Sequence, residues 1–285
     1  MHPRNRHQDR YDLRRLAQRV PELAPLIIVN KFGDESLDFA QAQSVKLLNK
    51  ALLLEYYGLK AWDLPEPFLC PPVPGRADYV HTVADLIRAK RGPEVRVLDI
   101  GVGANLIYPI IGRHEYGWSF VGTDINPHAL AHAQKIIDHN PPLVGTELRL
   151  QTADLILKGM IAPEERFELS LCNPPFHASL EEANASTQRK WKNLGLGAKK
   201  RDLNFGGEGQ ELWTEGGEKA FVIQMIKESL NFRQQVRWFT TLVSNADNLP
   251  VLEKALAGMK AKTVKVLPMG QGQKQSRVLA WSFTN

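Results

Sequence analysis

Asn173-Pro174-Pro175-Phe176 follows a short apolar run, Phe167-Glu168-Leu169-Ser170-Leu171-Cys172. The run reads as a strand, and a strand that stops at two prolines delivers the next residues to the end of a sheet. The Asn173 side-chain oxygen and the Pro174 carbonyl are hydrogen-bond acceptors, the prolines stiffen the turn that carries them, and Phe176 offers an aromatic face. That set suits a planar NH2-bearing group. Such an amine is a poor nucleophile because its lone pair is delocalised. Acceptors on its two N–H bonds favour a more pyramidal nitrogen and aim the lone pair at an electrophile. They act best when already in place, not ordered at the moment of reaction. A ring stacked on a base face adds roughly 1–3 kcal/mol. Asn-Pro-Pro is also an ordinary strand-terminating turn, so the tetrapeptide alone leaves both readings open.

A second constellation lies upstream. Val95–Ile100 reads as a strand, Gly101-Val102-Gly103-Ala104-Asn105 as a glycine turn, and 106–112 as the start of a helix. This order lets backbone approach a ligand closely. Phe120-Val121-Gly122-Thr123-Asp124 is a second strand ending in an acid, 23 residues after Gly101, near the spacing at which a carboxylate reaches ribose hydroxyls. A third strand, Glu147–Gln151, runs into Thr152-Ala153-Asp154. A dinucleotide site would need Gly-x-Gly-x-x-Gly, and position 106 is Leu. Taken in order, the glycine turn, Asp124 and Asn173-Pro174-Pro175-Phe176 resemble S-adenosylmethionine-dependent methyltransferases, whose motif IV in enzymes acting on adenine, guanine or glutamine amide nitrogens is Asn-Pro-Pro-aromatic. The resemblance implies S-adenosylmethionine as cofactor, with Gly101 and Gly103 beneath its amino-acid and ribose part. It implies Asp124 on the ribose and Asp154 on the adenine; Asp154 reads equally as the N-cap of a helix over 155–157. The usual Asp-x-Gly-x-Gly-x-Gly pattern departs at its last place, Asn105.

The rest of the chain must hold these residues. It has 285 residues, 43% hydrophobic and 24% charged, enough for one catalytic domain with an extension. No apolar run reaches the roughly 18 residues of a membrane span. Two distant cysteines, Cys70 and Cys172, give neither a metal cluster nor a disulfide framework, and a reducing cytoplasm is the default. The net charge of +5 is unevenly placed. Residues 1–19 carry Arg4, Arg6, Arg10, Arg14, Arg15 and Arg19 against two acids; residues 189–201 carry Arg189, Lys190, Lys192, Lys199, Lys200 and Arg201 around Trp191 with none. Such stretches suit phosphate contacts and base stacking, or are simply solvated.

Periodicity predicts helices over 12–20, 41–57 and 82–90, with a proline-rich connector over 64–75. Downstream it predicts helices over 220–231 and 249–259 and strands over 236–243, 263–267 and 277–283. A long glycine-bearing stretch, 177–219, follows the Asn-Pro-Pro-Phe turn and is placed to close over a target. The expected fold class is α/β: a Rossmann-like class I methyltransferase with a seven-stranded, mostly parallel sheet whose last strand is antiparallel, and an N-terminal helical extension. Residues 1–92 form the basic arm and extension, and 93–285 the catalytic domain.

A closer resemblance rests on the opening His2-Pro3-Arg4-Asn5-Arg6, on Asp9-Arg10-Tyr11 and Tyr79-Val80-His81, on 99–109 (Asp-Ile-Gly-Val-Gly-Ala-Asn-Leu-Ile-Tyr-Pro), on Glu215-Gly216-Gly217-Glu218, and on the ending Leu279-Ala280-Trp281-Ser282-Phe283. These look like the RlmF family, which methylates adenine N6 in bacterial 23S ribosomal RNA and is similar to the eukaryotic methyltransferase-like U6 snRNA adenine-N6 enzymes. The resemblance covers nearly the whole chain and includes the Asn105 departure. It implies that Arg76 clamps the methionine carboxylate, that Gly101, Asp124 and Asn173 contact the cofactor or its junction with substrate, and that Asn173, Pro174 and Phe176 grip the adenine. It makes the N-terminal arginines an RNA-binding arm. The partner is then 23S rRNA or a large-subunit assembly intermediate, the protein a cytoplasmic monomer without a metal. Guanine-N2 methylation of rRNA, whose enzymes can carry Asn-Pro-Pro-Phe-His, is the nearest rival, since His177 is present. A protein glutamine methyltransferase fits the basic stretches less well. A non-catalytic RNA-binding assembly factor is the rival of a different class.

Overall fold

The computed structural model describes residues 1–175, 214–271 and 274–284. Helix α1 (Leu13–Arg19) starts where the Asp12 carboxylate accepts from the Arg15 N–H, satisfying one of the unpaired donors of its first turn. A 3-10 turn leads to a short antiparallel hairpin, β1 (Ile27–Val29) and β2 (Glu35–Leu37). Helix α2 (Ala42–Tyr56) buries Leu47, Leu48, Ala51 and Leu52, one helical stripe. Then come α3 (Val73–Leu86), β3 (Arg96–Ile100), α4 (Ile107–Tyr116), β4 (Ser119–Asp124), α5 (Pro127–His139), β5 (Glu147–Leu150) and β6 (Phe167–Cys172). Helix α6 (Gly217–Ser229), β7 (Val236–Val243), α7 (Leu249–Gly258), β8 (Thr263–Gln271) and β9 (Lys274–Ser282) complete the described chain.

The large sheet has seven strands in the order β5-β4-β3-β6-β7-β9-β8. The first five are parallel, and β9 runs antiparallel to both its neighbours. Strand order reverses between β3 and β6, and in such sheets the crevice beyond the carboxyl ends at the reversal is where ligands bind. The glycine turn follows β3 and Asn173 follows β6, so topology alone brings the two motifs together.

Alternation along the strands fills both faces. Val97, Leu169 and Val278 join α2, α3, α4 and α5 in a cluster that runs back to Leu13 and Leu16 of α1. Leu98, Phe239 and Trp281 face α6 and α7. Trp281 is fully buried, stacks on Phe239 at 5.6 Å and donates its indole N–H to Ser229 Oγ at 3.0 Å. Truncating such a ring costs about 3–5 kcal/mol.

Three local expectations change. Helix α3 begins at Val73, not 82, because Pro74 lies in its first turn, where a missing N–H costs nothing. The final hairpin is longer at both strand tips than the apolar pattern predicts, since backbone pairing continues from Pro268–Arg277 to Gln271–Lys274. No helix follows Asp154; residues 153–161 are bends and turns. The Glu228 carboxylate of α6 accepts from the N–H of Ile156 at 3.0 Å and of Leu157 at 2.7 Å, so a distant acid takes the donors that a local cap would have served.

Candidate active site

The glycine turn is held against the end of β4. Gly101 and Val102 N–H both donate to Thr123 O at 2.9 Å. Gly101 and Gly103 have φ of 75° and 64°, which favours glycine. Gly122 lets the turn lie flat on β4, since a Cβ there would stand 2.9 Å from Val102 Cγ2. Asp124 closes the arrangement, accepting from Gly103 N–H at 2.9 Å and from Asn126 N–H at 2.9 Å. Burial raises the Asp124 pKa above the usual carboxylate value, and the backbone donors oppose that rise.

Asn105 occupies the place of the missing glycine. Its Oδ1 accepts from Ile107 N–H at 3.1 Å, its Nδ2 donates to Leu69 O at 3.4 Å, and its carbonyl accepts from Trp62 Nε1 at 3.1 Å. Next to it Leu106 adopts φ 56°, a left-handed conformation that costs a non-glycine residue about 1–3 kcal/mol. The Asn105 side chain and the full burial of Leu106 offset that cost.

Helix α3 supplies the opposite wall. Arg76 Nη1 donates to Asn173 Oδ1 at 3.0 Å and to Tyr108 OH at 3.2 Å, with the guanidinium 5.9 Å above the Tyr108 ring. Asp99 of β3 is fully buried, with no hydrogen-bond partner on either carboxylate oxygen. Burial first, and the neighbouring Asp124 second, push its pKa well up; Arg76 pulls the other way. Burial thus favours the neutral acid form of Asp99.

One cleft of about 1020 Å³, open mouth included, is lined by Arg76, Gly101, Gly103, Asn105, Asp124, Asn173 and Pro175. The cleft lies where such sheets bind ligands, and its lining has the chemistry for a nucleoside with an amino-acid tail. The residues present suit one: an acid whose oxygens keep lone pairs for vicinal hydroxyls, a cation for a carboxylate, and a glycine cradle. Asp154 is exposed and does not line this cleft; its carbonyl accepts from Gln224 at 3.3 Å. Gln151, Tyr108, Ile125 and Phe221 line the cleft without having been singled out for it. Gln151 immediately follows β5 and donates its N–H to Asp124 O at 2.8 Å, a placement set by strand pairing and not by any local motif. Among the described residues no three His, Cys, Asp or Glu side chains converge as metal ligands, and no helix is long and apolar enough to cross a membrane.

The N-terminal arginines lie against the fold. Arg4 pairs with Asp85, Arg6 with Glu115, Arg10 with Asp34 and Arg14 with Glu35, at 2.6 to 2.7 Å. The Arg10 and Arg14 side chains remain 79% and 81% exposed, so pairing leaves most of each side chain facing solvent. Phe176, His177, Lys190, Lys192, Lys199, Lys200 and Arg201 lie outside the described residues. Glu218 is buried, accepting from Ser244 N–H at 2.7 Å and Asn248 Nδ2 at 2.8 Å, so the Glu215–Glu218 segment ties α6 to the loop after β7.

A family model described as RNA methyltransferase matches residues 1–285. The hMettl16 catalytic domain solved with the MAT2A 3′UTR hairpin 1 superposes with a TM-score of 0.86 at 31% identity, covering 100% of this chain and 96% of that one. The N-terminal domain of human METTL16 in complex with SAH gives 0.81 at 28% identity, covering 100% and 99%. Fold and site together define a class I RNA methyltransferase. Ribosomal RNA large subunit methyltransferase F of Klebsiella pneumoniae is 54% identical over 99% of this chain and 94% of its own length, and that of Pseudomonas putida 53% over 99% and 93%. The chain belongs to the ribosomal RNA large subunit methyltransferase F family.

Proposed function

We propose that this chain transfers a methyl group from S-adenosylmethionine to the exocyclic N6 of one adenine in 23S rRNA. The observation that carries the reading is the convergence of Asp124, Arg76 and Asn173 on one cleft at the sheet's reversal point. When bound, the cofactor supplies an electrophilic methyl on a sulfonium, already a good leaving group. Asp124 accepts from the ribose hydroxyls. Arg76 pairs with the methionine carboxylate as a charge-assisted clamp. Asn173 Oδ1 and the Pro174 carbonyl accept the two N–H bonds of the target amine and aim its lone pair. Phe176 stacks on the base, and the surplus amine proton passes to water after transfer. Much of the barrier reduction is therefore positioning.

The base has to leave its stack, at a cost of a few kcal/mol that is smaller in loops and single strands. Basic residues of 1–19 and 189–201 would contact phosphates, with 177–219 closing over the base and the region 1–92 as the RNA-side extension of the catalytic domain 93–285. The substrate would be 23S rRNA or an assembly intermediate in the cytoplasm.

Purified protein, labelled S-adenosylmethionine and unmodified 23S rRNA, free and in partial subunits, test the reading after digestion to nucleosides. Label in N6-methyladenosine is expected. Label in N2-methylguanosine would move the enzyme to the guanine class. Absence of both label and cofactor binding would leave a non-catalytic assembly factor.

A further inference from the structure

Tyr79 lies one helical turn beyond Arg76 on α3 and is completely buried. Its hydroxyl accepts from the Cys172 N–H at 3.2 Å and lies 2.7 Å from Thr240 Oγ1. Thr240 Oγ1 in turn donates to Ser170 O at 2.6 Å. Directions follow from the number of protons. The single Thr240 hydroxyl proton is committed to the Ser170 carbonyl, so the Tyr79 proton goes to Thr240, and the remaining Tyr79 lone pairs face Cys172. The chain Cys172 N–H to Tyr79 to Thr240 to Ser170 C=O is closed, with every donor used.

Its position matters more than its closure. The ladder between β6 and β7 ends at the pair Leu169–Trp238. Beyond that pair β6 continues to Cys172 and then into Asn173. Strand β3 still pairs with β6 as far as Ile100–Cys172, but on the β7 side the Tyr79–Thr240 bridge takes over where backbone pairing stops, and it grips the peptide immediately before Asn173. Helix α3 thus holds this corner at two points three residues apart: Arg76 on the Asn173 side chain, Tyr79 on the Cys172 backbone.

We propose that Tyr79 is a positioning residue for methyl transfer, fixing the end of β6 so that the Asn173 side chain and Pro174 carbonyl meet the target amine in a preset geometry. The proposal rests on the methyl-transfer reading of the cleft. It assigns a role to the Tyr79-Val80-His81 segment, which makes no direct contribution to the cofactor cleft. It also explains a phenol in an apolar interior: Phe would fill the same volume but leave the Cys172 N–H and the Thr240 hydroxyl without this partner.

Tyr79→Phe and Thr240→Val are compared with the unmodified protein in three measurements: S-adenosylhomocysteine affinity by calorimetry, the single-turnover methylation rate on 23S rRNA, and amide hydrogen exchange across 170–175. For Tyr79→Phe the affinity is expected to stay within about twofold while the single-turnover rate falls about 10–100-fold, the loss that a misplacement of an ångström produces. Exchange at the Cys172 amide rises. Thr240→Val, which keeps shape and removes the hydroxyl, gives the same pattern (affinity held, single-turnover rate lowered, Cys172 exchange raised) and serves if Tyr79→Phe does not fold. A single-turnover rate equal to that of the unmodified protein overturns the proposal, as does a rate that falls only in step with cofactor affinity. Should the unmodified protein methylate no RNA, the methyl-transfer reading fails; the exchange measurement still decides whether Tyr79 holds the strand end.

Discussion

Arg76 and Asn173, 97 residues apart in sequence, are joined at 3.0 Å by a hydrogen bond from the guanidinium to the carboxamide oxygen. That oxygen is the one the proposed mechanism assigns to the target amine, and the guanidinium is the one assigned to the cofactor carboxylate. A carboxylate entering the cleft competes with Asn173 for Arg76. Arg76→Lys keeps the charge but loses the planar fork. The expected result is about tenfold weaker S-adenosylhomocysteine binding by calorimetry, with 5′-methylthioadenosine, which lacks the carboxylate, bound as before. Equal weakening of both ligands would count against the clamp.

Asn173→Ala removes one of two acceptors for the amine while leaving the glycine turn and Asp124 in place. The single-turnover methylation rate is expected to fall by about 10²–10³, the usual loss for one preorganised polar group, with cofactor affinity changed only a few-fold. Radiolabel incorporation into rRNA and calorimetry give the two readings. Full activity would remove Asn173 from the mechanism.

Asp124→Asn preserves shape and one acceptor oxygen but removes the charge that favours two ribose hydroxyls. A hydrogen bond to a charged group contributes about 1.5–3 kcal/mol, so S-adenosylhomocysteine should bind on the order of 10–100-fold more weakly. Adenosine alone should lose the same factor, because the contact is with its ribose.

Acid should loosen the N-terminal segment. His7 is buried with Nε2 at 2.8 Å from Tyr57 OH, and His81 is buried with Nδ1 at 2.7 Å from Tyr116 OH. Burial lowers both from 6.5 to about 4, with further lowering from Arg6 for His7 and from His2 and Arg4 for His81. The unfolded chain therefore binds more protons than the folded one between these values. The stability they contribute is complete above pH 6.5 and is lost as pH falls toward about 4. Tm measured from pH 7 to 4.5 should decline through that window, and His7→Phe with His81→Phe should flatten the slope.

Asn140 is fully buried and uses every polar atom: Oδ1 accepts from Lys60 N–H at 2.7 Å and Ala61 N–H at 3.2 Å, and Nδ2 donates to Ala61 O and Ile136 O, both at 2.7 Å. It fastens the segment after α2 to the end of α5. Asn140→Ala leaves the part-buried backbone groups of Lys60 and Ala61 and the buried Ile136 carbonyl without this partner, and an expected loss on the order of 2 kcal/mol should appear as a lower urea midpoint with an unchanged m-value.

The sequence by itself determined the elements and the chemistry types. Strand alternation marked the walls of the cleft at 95–100 and 120–124, the glycines marked the turn between them, and two prolines marked the end of β6 at Asn173. These signals are local: a period, a φ requirement, a missing N–H. Tertiary structure decided what meets what. No local pattern marks Arg76, which contacts Asn173 because α3 starts at Val73 and so carries it to the end of β6. Tyr79 and Thr240, 161 residues apart, share a proton network that no spacing encodes. Asp154 was left by the helix that local capping allowed, because the Glu228 carboxylate satisfies the N–H groups of 156 and 157 from across the fold. Local patterns report what a residue's immediate backbone demands. Partners brought together by a crossover are set by the strand order and by which face of a helix the core buries.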